Sequence, residues 1–232
     1  MAGGGGMLTA VTDVSDDEFR ARLRALRVFD VELPAFDTDR TPEDPAELFR
    51  DWLLEAIEAG VREPHVMTLS TVDDGGRPSS RVLILKGLAN GRWQFATSRN
   101  SRKGHELAST PSAAANFYWS ELGRQVRLRG RVLEGTRAEA ARDFLARGDD
   151  SRAESLVGNQ SAVLIDPARL EAVLEEARAQ VAADPQLVPE HWALYHLIPD
   201  EVEFWQADHA RRHARLRYEL IGERWRRELL WP

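Results

Sequence analysis

The sequence predicts one α+β domain built around an antiparallel β-barrel, with helices at its periphery. Three observations lead there. Between positions 65 and 133 the chain breaks into short β-branched or aromatic segments. Asp73-Asp74-Gly75-Gly76 and Ala89-Asn90-Gly91 join some of these too tightly for crossover connections, so neighbouring strands run antiparallel. Helical spacing frames the region on both sides, at 45–59 and 136–183. The length of 232 residues suits one full domain or two small ones, and a single domain of this size buries roughly 70% of its unfolded surface.

Residues 1–43 combine Gly3 to Gly6, acids, isolated prolines and a weak helix at 16–27, and read as a flexible acidic leader. The domain proper spans 44–232. Its first helix runs from Pro45 to Ala59: Asp44 caps it, Pro45 suits the first turn, and Glu47 completes a capping-box pattern. Leu48, Phe49, Trp52, Leu53, Ala56 and Ile57 form its apolar face, and Gly60 stops it. Strands are expected at 65–72, 79–87, 92–97, 113–119 and 124–133, with a short helix at 101–109 ended by Pro111. Helical spacing returns at 136–157, broken at Gly148-Asp149-Asp150, and a longer helix follows from Pro167 to Ala183. Four strands close the chain, near 192–198, 201–206, 215–220 and 225–230.

Composition removes several classes of function. Cysteine is absent, which excludes disulfide scaffolds, thiolate metal sites and cysteine nucleophiles. No apolar run approaches the roughly 20 residues of a membrane-spanning helix, and the first residues lack a signal-peptide pattern. A cytoplasmic protein without a membrane partner is expected. His65, His105, His191 and His196 show no metal-ligand spacing, so no metal site is expected. Trp52, Trp93, Trp119, Trp192, Trp225 and Trp231 are assigned to core or dimer packing.

The net charge of −7 is unevenly spread. Residues 1–60 carry 6 arginines against 14 acids, whereas residues 77–131 carry 11 basic residues against two acids, Glu106 and Glu121. An acidic whole argues against a nucleic-acid partner. The local excess fits a small polyanion such as a phosphorylated cofactor, or else a solvated basic face. Only two of the 31 basic residues are lysines, Lys86 and Lys103, and both fall in this stretch. Their survival in an arginine-biased sequence points either to positions where a compact ammonium is needed or to chance.

Three constellations could carry chemistry. The run from Ser79 to Gly87 reads as a buried strand with Arg81 and Lys86 near its ends, either an apolar floor for a flat ring or an ordinary strand with snorkelling ends. In 95–104 a strand ends in hydroxyl residues and enters a helix whose first turn holds Ser101, Arg102 and Lys103. Cations there oppose the helix dipole, so a ligand phosphate between them is the expected reason. Near the C-terminus, Arg211, His213, Arg215 and Arg217 alternate and would share one face of an extended chain. Either an anion lies across them or they pair with the acidic leader.

These blocks resemble the pyridoxine/pyridoxamine 5′-phosphate oxidases. The likeness rests on Arg81-Val82-Leu83-Ile84-Leu85-Lys86-Gly87, Ser101-Arg102-Lys103-Gly104, Phe117-Tyr118-Trp119 with Arg124-Gln125-Val126-Arg127, Gln160-Ser161, Glu203-Phe204-Trp205-Gln206 and the terminal Arg-x-His-x-Arg-Leu-Arg-Tyr. It runs from about Asp44 to Pro232. The resemblance implies a homodimer of split β-barrels with FMN at the subunit interface. Flavin contacts would fall on Arg81, Val82, Leu83, Lys86, Ala96, Thr97, Arg102, Lys103, Gln125, Gln160, Ser161, Trp205 and Arg215. Lys86, Arg147 and Ser151 would meet the substrate phosphate, and Arg211 and His213 would cover the substrate ring. The implied reaction passes hydride from substrate C4′ to flavin N5, and O2 then reoxidises the flavin to give pyridoxal 5′-phosphate and hydrogen peroxide.

One departure stands out. Where the family carries a tyrosine in the substrate-phosphate site, this chain has Asp143, one helical turn before Arg147 and expected to pair with it. Gly148-Asp149-Asp150 adds two more acids nearby. The flavin site therefore reads as whole and the substrate site as altered. That leaves a pyridoxal-phosphate-forming oxidase, a relative acting on a phenazine-like intermediate, or a flavin- or pyridoxal-phosphate-binding protein without turnover.

Overall fold

A computed structural model describes residues 14–232, and among them the expected α+β barrel is what forms. Helix α1 (Asp16–Ala25) is followed by α2 (Pro45–Glu58), β1 (Val66–Val72), β2 (Pro78–Ile84), β3 (Gly87–Ala89) and β4 (Arg92–Ser98). Then come α3 (Arg102–Ser109), β5 (Ser112–Trp119), β6 (Arg124–Glu134), α4 (Arg137–Leu145), α5 (Asp149–Leu156) and α6 (Leu170–Ala183). Strands β7 (Trp192–Gln206), β8 (Ala214–Ile221) and β9 (Arg224–Leu229) complete the chain. All pairings are antiparallel, in the order β2-β1-β5-β6-β7-β4-β3, with β8 and β9 branching from β7.

Helix α2 plugs the barrel. Its Phe49 is fully buried, edge-on to Phe117 and Trp93 at centroid distances of 4.8 and 5.4 Å. Trp52 meets Phe204 at 5.2 Å. Burying one such ring stabilises the fold by about 1.5–3 kcal/mol. The cap differs from expectation: Asp44 accepts from Ala46 N at 2.8 Å, so the carboxylate serves the second residue and no Glu47 box forms. Ile57, expected on the buried face, is exposed because the core contacts lie on the Phe49–Trp52–Ala56 side.

Two strand expectations change. The segment 79–87 is not one strand: β2 ends at Ile84, and after Leu85 and Lys86 the chain turns to pair β3 with β4. Conversely, 192–206 is one strand of 15 residues instead of two. Pro199, which has no N–H to donate, falls where the β6–β7 register shifts at Arg129/Gly130, so the bulge absorbs it. Gly130 permits the close approach, since a Cβ there would lie 2.1 Å from the Ile198 carbonyl oxygen. The first half of β7 pairs with β4 and the second half with β8. At this strand the sheet splits.

The leader is laid against the barrel from Phe29 onward, well before the boundary expected at residue 44. Phe36 packs on Trp52 at 4.8 Å, Tyr218 Oη donates to the Pro42 carbonyl at 2.8 Å, and Arg227 donates to the Thr41 carbonyl at 2.8 Å. Helix α1 is capped by Ser15 and buries none of its residues. The glycine run Gly3 to Gly6 lies outside the described residues.

Candidate active site

The predicted site residues fall into three groups. The first surrounds the N-terminus of α3. Ser101 caps the helix, accepting from Gly104 N at 3.2 Å and donating to the Ser98 carbonyl at 2.7 Å. The Lys103 ammonium is buried and donates to Thr97 Oγ1, Ser101 Oγ and Gln160 Oε1 at 3.0, 3.2 and 3.0 Å. These partners are neutral, and no carboxylate of the described residues comes within ion-pair distance of it. Burial, reinforced by the Arg81 cation, lowers its pKa to about 8. Ser161, beside Gln160, holds a left-handed φ of 74° and stands exposed.

Arg81 and Arg102 flank this lysine through Glu106, a carboxylate that carries no site role in the sequence pattern. Glu106 is 4% exposed and accepts from Ser79 Oγ, Arg102 Nε at 2.8 Å, Arg81 Nη2 at 3.2 Å and Thr71 Oγ1. Desolvation works against its charge, yet these donors prevail and hold its pKa at about 2. Arg81 is thus drawn into a network with Thr71, Ser79 and Glu106 and does not stand free at a strand end. The signal for Glu106 was present as its i,i+4 spacing from Arg102.

Strand β2 offers no continuous apolar floor. Its side chains alternate: Leu83 packs toward the core, whereas Val82 is 65% exposed and Ile84 stands beside it on the outer face. Lys86, past the strand end, faces Asp143 at 3.5 Å.

That pair opens the second group. Asp143 was expected to pair with Arg147; it pairs with Lys86 and accepts from Trp192 Nε1 at 3.0 Å. Arg147 instead lies over the Trp192 ring, 4.3 Å from its centroid, and donates to Ser151 and Ser155 at 2.6 and 2.7 Å. Trp192, assigned to packing, therefore also orders this polar cluster. Ala96 packs on the same Phe144–Trp192 cluster.

The third group is a row across three strands. Register aligns Gln125 on β6 with Trp205 on β7 and Arg215 on β8, all on the face opposite the buried Val126, Phe204 and Leu216. Arg215 donates to the buried Glu203 at 2.8 Å, which also takes Arg127. Phe29 and His213 pack on Trp205 at 5.5 and 4.9 Å. The expected common face of four cations does not form. Arg211 sits in the turn before β8 with φ 64°, and the carboxylates facing Arg215 and Arg217 come from β7, β8 and β9, not from the leader. The Asp208 N–H donates to His213 Nδ1 at 3.0 Å, so the neutral ring carries its proton on Nε2. No hydrogen bond or ion pair among the described residues links this row to the Lys103 cradle.

A buried ammonium at a helix N-terminus, with no carboxylate of the described residues within ion-pair distance, marks a split barrel whose site is built to receive an anion such as a phosphate. By sequence, the chain belongs to the pyridoxamine 5′-phosphate oxidase family. Residues 53–188 match that family, and residues 192–232 match the pyridoxine 5′-phosphate oxidase C-terminal dimerisation region. A pyridoxine/pyridoxamine 5′-phosphate oxidase of Ectopseudomonas mendocina is 43% identical over 195 residues, covering 83% of this chain and 91% of that protein. The crystal structure of PhzG from Burkholderia lata in complex with tetrahydrophenazine-1-carboxylic acid matches with a TM-score of 0.82 at 35% identity, over 87% of this chain and 99% of that one. An FMN-binding protein of Nostoc punctiforme, 18% identical with a TM-score of 0.65 over 79% of this chain and 97% of that one, shares the fold. FMN is the cofactor that goes with this family and fold. The Lys103 environment fits it, because a phosphate monoester supplies the anion that the buried ammonium lacks.

Proposed function

We propose that the chain is an FMN-dependent oxidase, working as a homodimer, that converts pyridoxamine or pyridoxine 5′-phosphate to pyridoxal 5′-phosphate. The observation that carries the cofactor half of this reading is the uncompensated Lys103 ammonium; its substrate half rests on the family. Bound FMN supplies the hydride acceptor, returned to its oxidised form by O2 with release of hydrogen peroxide. Lys103, Arg102, Arg81, Thr97 and the Gln160-Ser161 pair hold the flavin phosphate and ribityl end. Gln125, Trp205 and Arg215, with Val82, Leu83 and Ala96, contact the rest of the flavin. Lys86, Arg147 and Ser151 take the substrate's anionic group. Arg211 and His213 lie over the substrate ring, and His213, whose Nδ1 is held by the Asp208 N–H, has its Nε2 left to orient the amine or alcohol. The test is direct: FMN-loaded protein mixed anaerobically with pyridoxamine 5′-phosphate should bleach, then release peroxide stoichiometrically in air. A flavin that stays oxidised would end this assignment.

A second reading has its own observation. With Asp143 set against Lys86, the substrate cluster of Lys86, Arg147 and Asp143 keeps one net positive charge, which matches a carboxylate better than a phosphate dianion. The ligand in the Burkholderia lata structure is such a carboxylic acid. On this reading the same flavin chemistry serves a phenazine-like acid. Flavin bleached by a dihydroaromatic carboxylic acid, and not by pyridoxamine 5′-phosphate, selects it.

Lys103 also sets a pH dependence for the cofactor. Its ammonium is charged below about pH 8 and loses its proton above that value. A bound phosphate favours the charged form, so binding above this pH requires proton uptake. FMN affinity should therefore be level from pH 6.5 to 7.5 and fall by up to about tenfold per unit beyond 8. Fluorescence titration of FMN across this range reads the effect, and Lys103→Arg should flatten it.

A further inference from the structure

The mechanism above leaves one buried ionised group unused. Glu106 lies beneath the cradle and bridges three elements: Thr71 on β1, Ser79 and Arg81 on β2, and Arg102 on α3. Arg102 meets it through Nε, at 2.8 Å, while the rest of that side chain is largely exposed. Held through Nε–H, the planar guanidinium directs its outer terminal nitrogen away from the carboxylate, and neither terminal nitrogen bonds to it. Those nitrogens make no hydrogen bond to the described residues.

Charge balance agrees. Arg81, Arg102 and Lys103 bring three positive charges to one small region, and Arg81 already disfavours the charged form of Lys103. Glu106, the carboxylate in contact with both arginines, offsets one of them, and together with Glu154 it favours the Lys103 cation. Among the four side chains Arg81, Arg102, Lys103 and Glu106, two net positive charges remain, equal in size to the charge of a phosphate monoester dianion.

We propose that Glu106 is a positioning residue for the flavin phosphate: it fixes Arg81 and orients Arg102 so that the terminal guanidinium nitrogens face the anion, and it trims the cradle to the charge of a monophosphate. The inference rests on reading Arg81, Arg102 and Lys103 as the phosphate cradle. Its opposite is equally physical, since a carboxylate near a bound phosphate repels it. Orientation is expected to prevail, because the carboxylate's lone pairs are turned to four donors, and the two arginines among them bring more positive charge than it brings negative.

The experiment measures FMN and riboflavin dissociation constants by flavin fluorescence on full-length, flavin-stripped protein. Glu106→Gln should weaken FMN about tenfold or more and leave riboflavin within about twofold, because riboflavin has no phosphate to orient. Arg102→Lys keeps the charge but loses the planar edge, and should match that loss. In an Arg102→Ala background the Glu106→Gln effect should shrink to about threefold or less. Glu106→Gln binding FMN as tightly as the parent, or tighter, overturns the proposal, and so does equal weakening of FMN and riboflavin. If Glu106→Gln does not fold, Arg102→Lys decides alone, and parental FMN affinity there is equally fatal. Should Arg102→Ala itself leave FMN binding unchanged, the cradle reading fails instead.

Discussion

Lys103→Met is expected to give a protein that folds at least as well as its parent and retains almost no FMN. The two effects share a cause. A buried ammonium with only neutral hydrogen-bond partners has surrendered its hydration without a direct ion pair, Glu106 and Glu154 acting on it only from beyond contact, so the apo-protein is less stable for it. Methionine fills a similar volume with no charge to desolvate, and the apo-protein melting temperature should rise or hold. The bound state loses its most deeply placed cation, and removing one partner of a desolvated charge pair costs about 2–5 kcal/mol, or roughly 30- to several-thousand-fold in affinity. Calorimetric melting of the apo-protein and equilibrium dialysis with FMN check both halves. A variant that melts lower and still binds flavin would assign Lys103 to the scaffold.

The second large effect concerns Asp143. Its carboxylate neutralises Lys86 and takes the Trp192 indole N–H, while Arg147 is occupied by Ser151, Ser155 and the Trp192 face. Asp143→Tyr removes that negative charge and adds a hydroxyl donor, which frees Lys86 for a phosphate. Activity toward pyridoxamine 5′-phosphate, as kcat/KM, should rise about tenfold or more, mostly through KM, since the change acts on substrate binding away from the reacting carbon. Asp143→Asn, which removes charge alone, should recover part of the gain. If both variants lose activity toward the phosphorylated amine, Asp143 serves a substrate of another kind, and the carboxylic-acid reading gains.

The barrel was legible because its signals are local: alternation along β1, β5 and β6, tight turns, and a capped amphipathic α2. What escaped depends on pairing across distance. Continuity of β7 through Pro199 follows from a bulge on β6, which nothing in 192–206 announces. The docking of Phe29 and Phe36 on the barrel was hidden by a glycine- and acid-rich leader whose composition dominates its two aromatic contacts. At the site, the residues around Lys103 were found because hydroxyls and cations at a helix start have one strong physical reason to coincide. Glu106 reads only as an acid in a basic stretch, because its burial depends on Thr71, Ser79 and Arg81 from two strands. Asp143 stands out in the sequence, but its partner does not: helical spacing favours Arg147, and the fold supplies Lys86 from beyond the end of β2.

The length of β7 has a further consequence. Thr97, which holds Lys103, is registered with Ala193 at the first turn of β7, whereas Trp205 and its aligned Gln125 and Arg215 lie at the far end. Twelve residues at about 3.3 Å each separate the two by roughly 40 Å of ribbon, more than one flavin mononucleotide can span. If both ends grip the same flavin, they belong to different copies of the chain. Each centre then has mixed parentage, and two crippled subunits can cure each other. Co-expressing a Lys103→Met chain with a Trp205→Ala chain should yield hybrids in which one centre inherits both lesions and the other neither, so activity returns where each parent alone has none.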